Sequence, residues 1–410
     1  MKITGIIAEY NPFHEGHGYH IGKSRKMTDA DLIIAVMSGS YTQRGIPAFF
    51  DKFSRAEEAV KNGADIVLEL PLTASLSSAE YFARAGVSIL NAAGCNTLSF
   101  GSESGNIEKL SLAAKLLGDE SPEMSEAIKK GLSEGLSYPA AVSAALDKAD
   151  SSLSELALLP NNTLGIEYLK AINALNCEMK AVTVKRLGSY HEGEQGFTLN
   201  TCLTPENESF PSSSYLRKTF KNNRDTRYME NDDFTGILSG KIHSLVNTLS
   251  HPGRKFDFSS FADVSPDFSD RINNEILMPY RFDTLAQRLK TKNITYARVC
   301  RSLWHIILDI KNEDHLSIKE ASSPEYIRVL AFNENGGKYI KELKEAGEKD
   351  PSRPKMIVRP ARDMRLLSNR AQVSFIKELN AAKLYRQAYY EKYGIYLPDD
   401  YSYSVKPVKN

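Results

Sequence analysis

Cysteine is scarce in this chain: Cys95, Cys177, Cys202 and Cys300 are the only four in 410 residues, far apart and without a Cys-x-x-Cys pair. That excludes a disulfide framework and a zinc ribbon, and reduced thiols of a cytoplasmic protein are expected. Charge of one sign is not in excess, since 52 Lys and Arg against 51 Asp and Glu leave a formal +1. No global field therefore draws nucleic acid, and any basic surface must come from local clustering. No apolar run is long enough to span a bilayer. The N-terminus lacks a basic-then-apolar signal pattern, so no membrane partner is expected. Internal repeats and low-complexity tracts are missing too. What is there has ordinary globular composition, 41% hydrophobic and 25% charged. A chain of this length predicts two or three domains.

The most informative stretch comes first. Ile3-Thr4-Gly5-Ile6-Ile7-Ala8 reads as a short apolar strand, which Glu9-Tyr10-Asn11-Pro12-Phe13 breaks. His14-Glu15-Gly16-His17-Gly18 follows and opens a helix through Tyr19-His20-Ile21. Strand, tight turn and helix opening in that order place free N–H groups and the positive helix end against a phosphate. Imidazole N–H groups can donate to phosphoryl oxygens as charge develops there. Two plainer readings compete. His14 and His17 could bind zinc, but no Cys or Asp lies nearby to complete a tetrahedron. They could also be ordinary histidines on a surface turn.

Further apolar runs at 31–37, 64–70, 97–100 and 179–184 alternate with helical segments near 52–62 and 77–92. This is the pattern of a doubly wound α/β sheet. His-x-Gly-His after a first strand resembles the HIGH-motif nucleotidyltransferase superfamily, and the fuller stretch from Gly5 to His17 resembles its bacterial tRNA(Met) cytidine acetate ligase family. Val36–Gly39, Gln43-Arg44-Gly45, Asp65–Pro71 and Phe100–Gly105 resemble that family as well. The resemblance implies a Rossmann-like nucleotidyltransferase core with a mostly helical C-terminal region. It places an ATP site on Ile7, Ala8, Glu9, Tyr10, Asn11, Pro12, Phe13, His14, Glu15, Gly16, His17, Gly18, Tyr19 and His20. Gly101, Asn161, Arg186, Ser214 and Arg217 join that site by the same resemblance, with His14 and His17 as catalytic residues.

Several of those outlying positions also have a plainer account. Gly101 and Gly105 could simply shape a strand-to-helix turn. Asn161 or Asn162 could cap the helix that follows. Ser212, Ser213 and Ser214 after Pro211 could be an N-cap without a ligand, although Ser212, Ser214 and Arg217 resemble the second signature of HIGH-motif enzymes, which implies that they hold the outer phosphates at a helix start. Arg186, at the carboxyl end of the fifth strand, suits forked contact with phosphate. Gly188-Ser189-Tyr190-His191 resembles the family too, without a role for His191. Residues 106–158 read as a helical insertion, in which Pro122 and Pro139 suggest separate short helices.

The expected division is a catalytic domain over 1–220 and a mostly helical tRNA-binding region over 221–410. Polar linkers are expected at 222–225 and 230–233, helices at 274–289, 297–310 and 375–393, and a Tyr-rich tail at 399–410. One locally basic stretch holds Arg281, Arg288, Lys290, Lys292, Arg298 and Arg301 around Tyr296; a second holds Arg353, Lys355, Arg359, Arg362, Arg365 and Arg370. Clustered cations around an aromatic suit RNA, although a charge run is often only a solvated face. Lys290, Lys292, Arg298 and Arg301 are the candidate tRNA contacts.

The expected reaction uses ATP, with Mg2+ on its phosphates, to activate acetate as acetyl-adenylate. Acetylation of N4 of the wobble cytidine of elongator tRNA(Met) follows, without acetyl-CoA. The substrate identities rest on the resemblance. Two other functions stay open: a small-molecule adenylyltransferase, and a non-catalytic RNA-binding protein that retains ATP.

Overall fold

A computed structural model describes residues 1–118, 122–186, 210–223, 225–248 and 255–409. Its sheet has seven strands in the order β5-β4-β1-β2-β3-β6-β7. Five come from the N-terminal half: β1 (Ile3–Ala8), β2 (Leu32–Ser38), β3 (Ile66–Leu70), β4 (Thr97–Ser102) and β5 (Lys180–Lys185). All pairings among them are parallel. Parallel neighbours need crossovers, and α1 (Glu15–Thr28), α2 (Lys52–Lys61), α3 (Leu72–Ser75) and α4 (Ala79–Ala92) provide them up to β4. β2 is buried at every residue, as a strand covered on both faces must be.

The chain runs outward from β1 through β2 to β3, then returns to place β4 and β5 on the other flank of β1. The strand order therefore reverses between β1 and β4, and in open α/β sheets the ligand crevice lies at that reversal. Before β5 come α5 (Ile107–Gly118), α6 (Pro122–Ser133), α7 (Tyr138–Ala149) and α8 (Pro160–Ala174). The insertion packs through Leu110, Ala113, Val142 and Leu146 on the main core. Cys95, Cys177 and Cys300 are free thiols; Cys202 and the segment Gly188–His191 lie outside the described residues.

The C-terminal half begins with α9 (Ser213–Lys221), α10 (Thr235–Val246), α11 (Pro266–Glu275), α12 (Phe282–Leu289), α13 (Tyr296–Leu308) and α14 (Asn312–Glu320). It then returns to the sheet. β6 (Tyr326–Phe332) pairs antiparallel with β3, and after α15 (Glu334–Lys349) comes β7 (Lys355–Ile357), which pairs parallel with β6. The sequence reading places no strand beyond residue 220, and these two are its omission. α16 (Pro360–Asp363) leads to the long α17 (Asn369–Tyr393). α10 to α13 and α17 share a core around Trp304 with Phe234, Phe258, Phe268, Phe282 and Tyr385. Tyr41, from the loop after β2, enters that core and donates to the Ala381 carbonyl at 3.1 Å.

The C-terminal half departs from the expected pattern at two further places. The helix read at 274–289 is two, α11 and α12, interrupted around Pro279, whose ring cannot continue a helix through its missing N–H. Residues 231–234 form a 3-10 turn rather than part of a linker, because the buried Asn231 amide accepts from Trp304 Nε1 at 3.0 Å. The Tyr-rich tail is part of the fold. Asp400, 2% exposed, accepts from Lys52 Nζ at 2.8 Å and Arg328 NH2 at 2.8 Å. Glu69 faces the same two cations at 2.7 and 3.1 Å. Nearby, Tyr403 packs on the Phe53 ring at 4.0 Å.

Glu378 of α17 borders this cluster. Burial, and then the Glu69 charge, push its carboxyl up to about 8, so it is mostly protonated at neutral pH. Lys52 and Arg328 against Glu69 and Asp400 then leave the cluster balanced.

Candidate active site

The site grows from the turn after β1. Tyr10 holds a left-handed φ of 47° and is 2% exposed, a conformation that a bulky residue adopts only where its surroundings enforce it. Those surroundings are specific. Asn11 Oδ1 accepts from Phe49 N at 2.6 Å, and Arg55, 1% exposed, donates to the carbonyls of Glu9 at 2.6 Å and Ser38 at 3.1 Å. The turn is thereby tied to the loop after β2.

His14 is the N-cap residue of α1, in extended conformation. Its N–H donates to His17 Nδ1 at 3.2 Å. Because Nδ1 is the acceptor, a neutral His17 carries its proton on Nε2. The two rings stack with centroids 3.7 Å apart, and Tyr10 meets His17 edge-on at 4.9 Å. A Cβ on Gly16 would lie 3.0 Å from the His14 ring and 3.1 Å from Phe210 Cβ, so glycine makes room for the ring. Burial in the cleft wall, then the charge of Arg186, push His14 down to about 4; burial first, then His14, His20 and Arg186, hold His17 well below the ordinary range. His20 is lowered to about 4, mainly by burial, and its Nε2 lies 3.3 Å from Ser99 Oγ. At neutral pH these rings are uncharged donors and acceptors rather than cations.

The opposite wall comes from β4, β5 and α8. The expected Asn161 or Asn162 cap is not what starts α8. Glu103, from the β4 loop, does so, with its carboxylate accepting from Asn161 N at 3.2 Å, Asn162 N at 2.8 Å and Asn161 Nδ2 at 2.6 Å. Asn161 Oδ1 in turn meets Arg186 NH1 at 3.4 Å. The carboxylate sits where the free N–H groups and dipole of a helix start favour it. Glu103→Ala is expected to lower stability by about 1–2 kcal/mol, read from urea denaturation; a loss below about 0.3 kcal/mol would show that the cap contributes nothing.

The third side is α9. Ser212 caps it, accepting from Tyr215 N at 3.2 Å. Arg217 donates to Ser214 Oγ at 3.1 Å and to the Asn11 carbonyl. These walls enclose about 380 Å³, the size of a small-molecule site.

Of the expected ATP residues, Ile7, Ala8, Glu9, Tyr10, Asn11, His14, Gly16, His17, Tyr19, His20, Gly101, Asn161, Arg186, Ser214 and Arg217 line this one cleft. Pro12, Phe13, Glu15 and Gly18 are not in its lining, although Phe13 supports the His17 ring at 5.5 Å. Gln43, Arg44, Glu103, Lys185, Phe210 and Ser213 also line it, and none of them is among the expected ATP residues. Among the described residues no group of three or more His, Cys, Asp or Glu side chains could hold a metal ion.

The candidate tRNA residues separate. Lys290 and Lys292 are exposed and Arg298 is half-buried. Arg301 turns inward: its side chain is 12% exposed, pairs with Asp263 at 3.0 Å, and donates to the Gln43 carbonyl at 3.2 Å.

Residues 1–395 match the family model described as HIGH Nucleotidyl Transferase. A tRNA(Met) cytidine acetate ligase of Clostridium kluyveri is 35% identical over 373 residues, covering 84% of this chain and 88% of that one. The chain belongs to the tRNA(Met) cytidine acetate ligase family. A Clostridium perfringens member is 37% identical over 371 residues, with 85% and 88% covered. Thermotoga maritima TmcAL bound with alpha-thio ATP superimposes with a TM-score of 0.76 at 25% identity, 95% of each chain being covered. Its apo form gives 0.77 at the same identity and coverage. The chain is thus an enzyme of the ligase class on a Rossmann-like nucleotidyltransferase fold, and among its described residues no helix is long and apolar enough to cross a membrane.

Proposed function

We propose that this enzyme activates acetate with ATP and acetylates N4 of the wobble cytidine of elongator tRNA(Met). The observation that carries the reading is the stacked His14–His17 pair at the mouth of α1, in one cleft with Arg186 and Arg217. Relatives bearing the ligase name and a structural neighbour holding an ATP analogue support it.

In the first step an acetate oxygen attacks the α-phosphorus and pyrophosphate leaves. Charge moves onto the leaving group. Neutral imidazole N–H groups and the free amides of α1 stabilise it by hydrogen bonding, and the two guanidinium groups by charge. In the second, the cytidine N4 amine attacks the acetyl carbon, AMP departs and N4 loses a proton. The acetyl group arrives through the adenylate, so the route takes no acetyl-CoA. Mg2+ would ride on the phosphate oxygens and water. Lys290, Lys292 and Arg298 are the proposed tRNA contacts, and the mostly helical region after residue 220 is proposed to carry them.

Incubation with ATP, labelled acetate and bulk tRNA, followed by mass spectrometry of the nucleosides, should place the label in N4-acetylcytidine. RNA that stays unlabelled while pyrophosphate is released would instead favour a small-molecule adenylyltransferase.

A further inference from the structure

Resting on that reading, we propose that Arg44 holds a backbone phosphate of the RNA beside the cytidine being acetylated, and that Arg301 is the positioning residue that sets it there. The starting point is the sheet order. The proposed nucleotide contacts are Gly101, within β4, and Arg186, just after β5, on one flank of β1, whereas Gln43 and Arg44 reach the same cleft from the loop after β2, on the other. On the proposed reading the triphosphate lies over β1 and the nucleoside toward β4, which leaves the β2 side for the acyl acceptor.

Residues 42–45 form a tight turn, closed by Gly45 N to Thr42 O at 2.9 Å and Thr42 N to Ile46 O at 3.0 Å. It is fastened at both ends of its reach. Toward the nucleotide, Gln43 N donates to Glu9 Oε1 at 2.7 Å. Toward the helical region, Arg301 donates to the Gln43 carbonyl at 3.2 Å while Asp263 holds the same guanidinium at 3.0 Å. Gly45, at φ 69°, lies so close to α13 that a Cβ would come 2.5 Å from Arg301 N.

The turn therefore bridges the catalytic loop and the helix that carries Arg298, and its tip residue, Arg44, is exposed at the cleft. An exposed, forked cation at the rim suits a phosphodiester better than a small carboxylate, which must sit deep enough to reach the α-phosphate. Arg298, a proposed RNA contact, lies one turn of α13 before Arg301, which holds the 42–45 turn. That placement also accounts for Arg301, whose charge is held by Asp263 while Lys290 and Lys292, earlier in the same basic stretch, are exposed.

The test compares two activities of the full-length enzyme. For Arg44→Ala, the loss in tRNA acetylation should exceed the loss in acetate-dependent ATP–pyrophosphate exchange, measured without RNA, at least tenfold. The excess should appear in the KM for tRNA. The slope of log affinity against log salt should fall by roughly 0.7, as for one lost single-strand phosphate contact. Arg301→Lys keeps a charge for Asp263 but loses the fork to Gln43, and should show the same split in milder form. Equal losses in both activities would overturn the proposal, placing Arg44 on the nucleotide or acetate side; no loss in either would overturn it as well. Wild-type enzyme without acetate-dependent exchange would sink the functional reading itself, a different failure from an Arg44 variant that loses both activities together.

Discussion

Alanine at His14 or His17 is expected to lower acetate-dependent ATP–pyrophosphate exchange roughly 10²- to 10³-fold, the usual cost of removing one donor aimed at developing negative charge. The urea midpoint should move little by comparison, because both rings line the cleft. The two losses should not add. Each ring stacks on the other, so either substitution removes the surface against which the remaining donor is held, although the backbone amide of residue 14 still donates to His17 Nδ1 in the His14 variant. Since burial keeps His14 near 4 and His17 well below its ordinary range, neither should produce an inflection in the exchange rate between about pH 5.5 and 8.5. The sign for stability is equally definite. A histidine depressed in the fold destabilises it as pH falls from about 6.5 toward the folded value, because the unfolded chain takes up the proton first. Exchange at wild-type rate in both single variants would remove these rings from the chemistry.

The second large effect lies away from the cleft. Asp400→Ala should cost about 3–5 kcal/mol, as expected when one member of a buried ionic group is deleted and its partners are left uncompensated. Lys52 and Arg328 would then share Glu69 alone. Replacing Lys52 by methionine in the same variant should recover part of the loss, since the stranded cation is the damage. Burial by itself would raise the Asp400 pKa, but Arg328 and Lys52 outweigh it and hold the carboxyl well below the usual range. Its contribution is therefore fully present above the unfolded value of about 3.9 and is lost as pH falls below it toward the folded value. Urea denaturation should show the wild-type advantage narrowing as pH falls from about 4 toward about 2. A difference below about 1 kcal/mol at pH 7 would mean that the tail is dispensable.

How much of this was legible depended on the range of the signal. The five parallel strands are short apolar runs with turn residues between them, and a local pattern suffices to read such elements. The His14–His17 opening was equally local. Glu103 was not, because its partners, Asn161 and Asn162, are 58 and 59 residues away, and the plausible local cap was the wrong one. β6 reads Tyr-Ile-Arg-Val-Leu-Ala-Phe, a fair strand spoiled by a central arginine. Asp400 and Glu69, both distant in sequence, are what make that arginine acceptable inside. Arg301 failed in the opposite direction: it looked like part of a solvent-facing basic run, and only the fold reveals Asp263 and the Gln43 carbonyl waiting for it.

The return of β6 to the edge of β3 has a consequence for how this enzyme can be made and divided. During synthesis the ribosome must deliver more than three hundred residues before the sheet gains that strand and nearly the whole chain before Asp400 can neutralise Lys52. A fragment ending near residue 220 would leave β3 as a raw edge with unmet backbone donors and acceptors. Expressed alone, such a piece should be prone to self-association, and a complementary fragment supplying β6 is what should restore it.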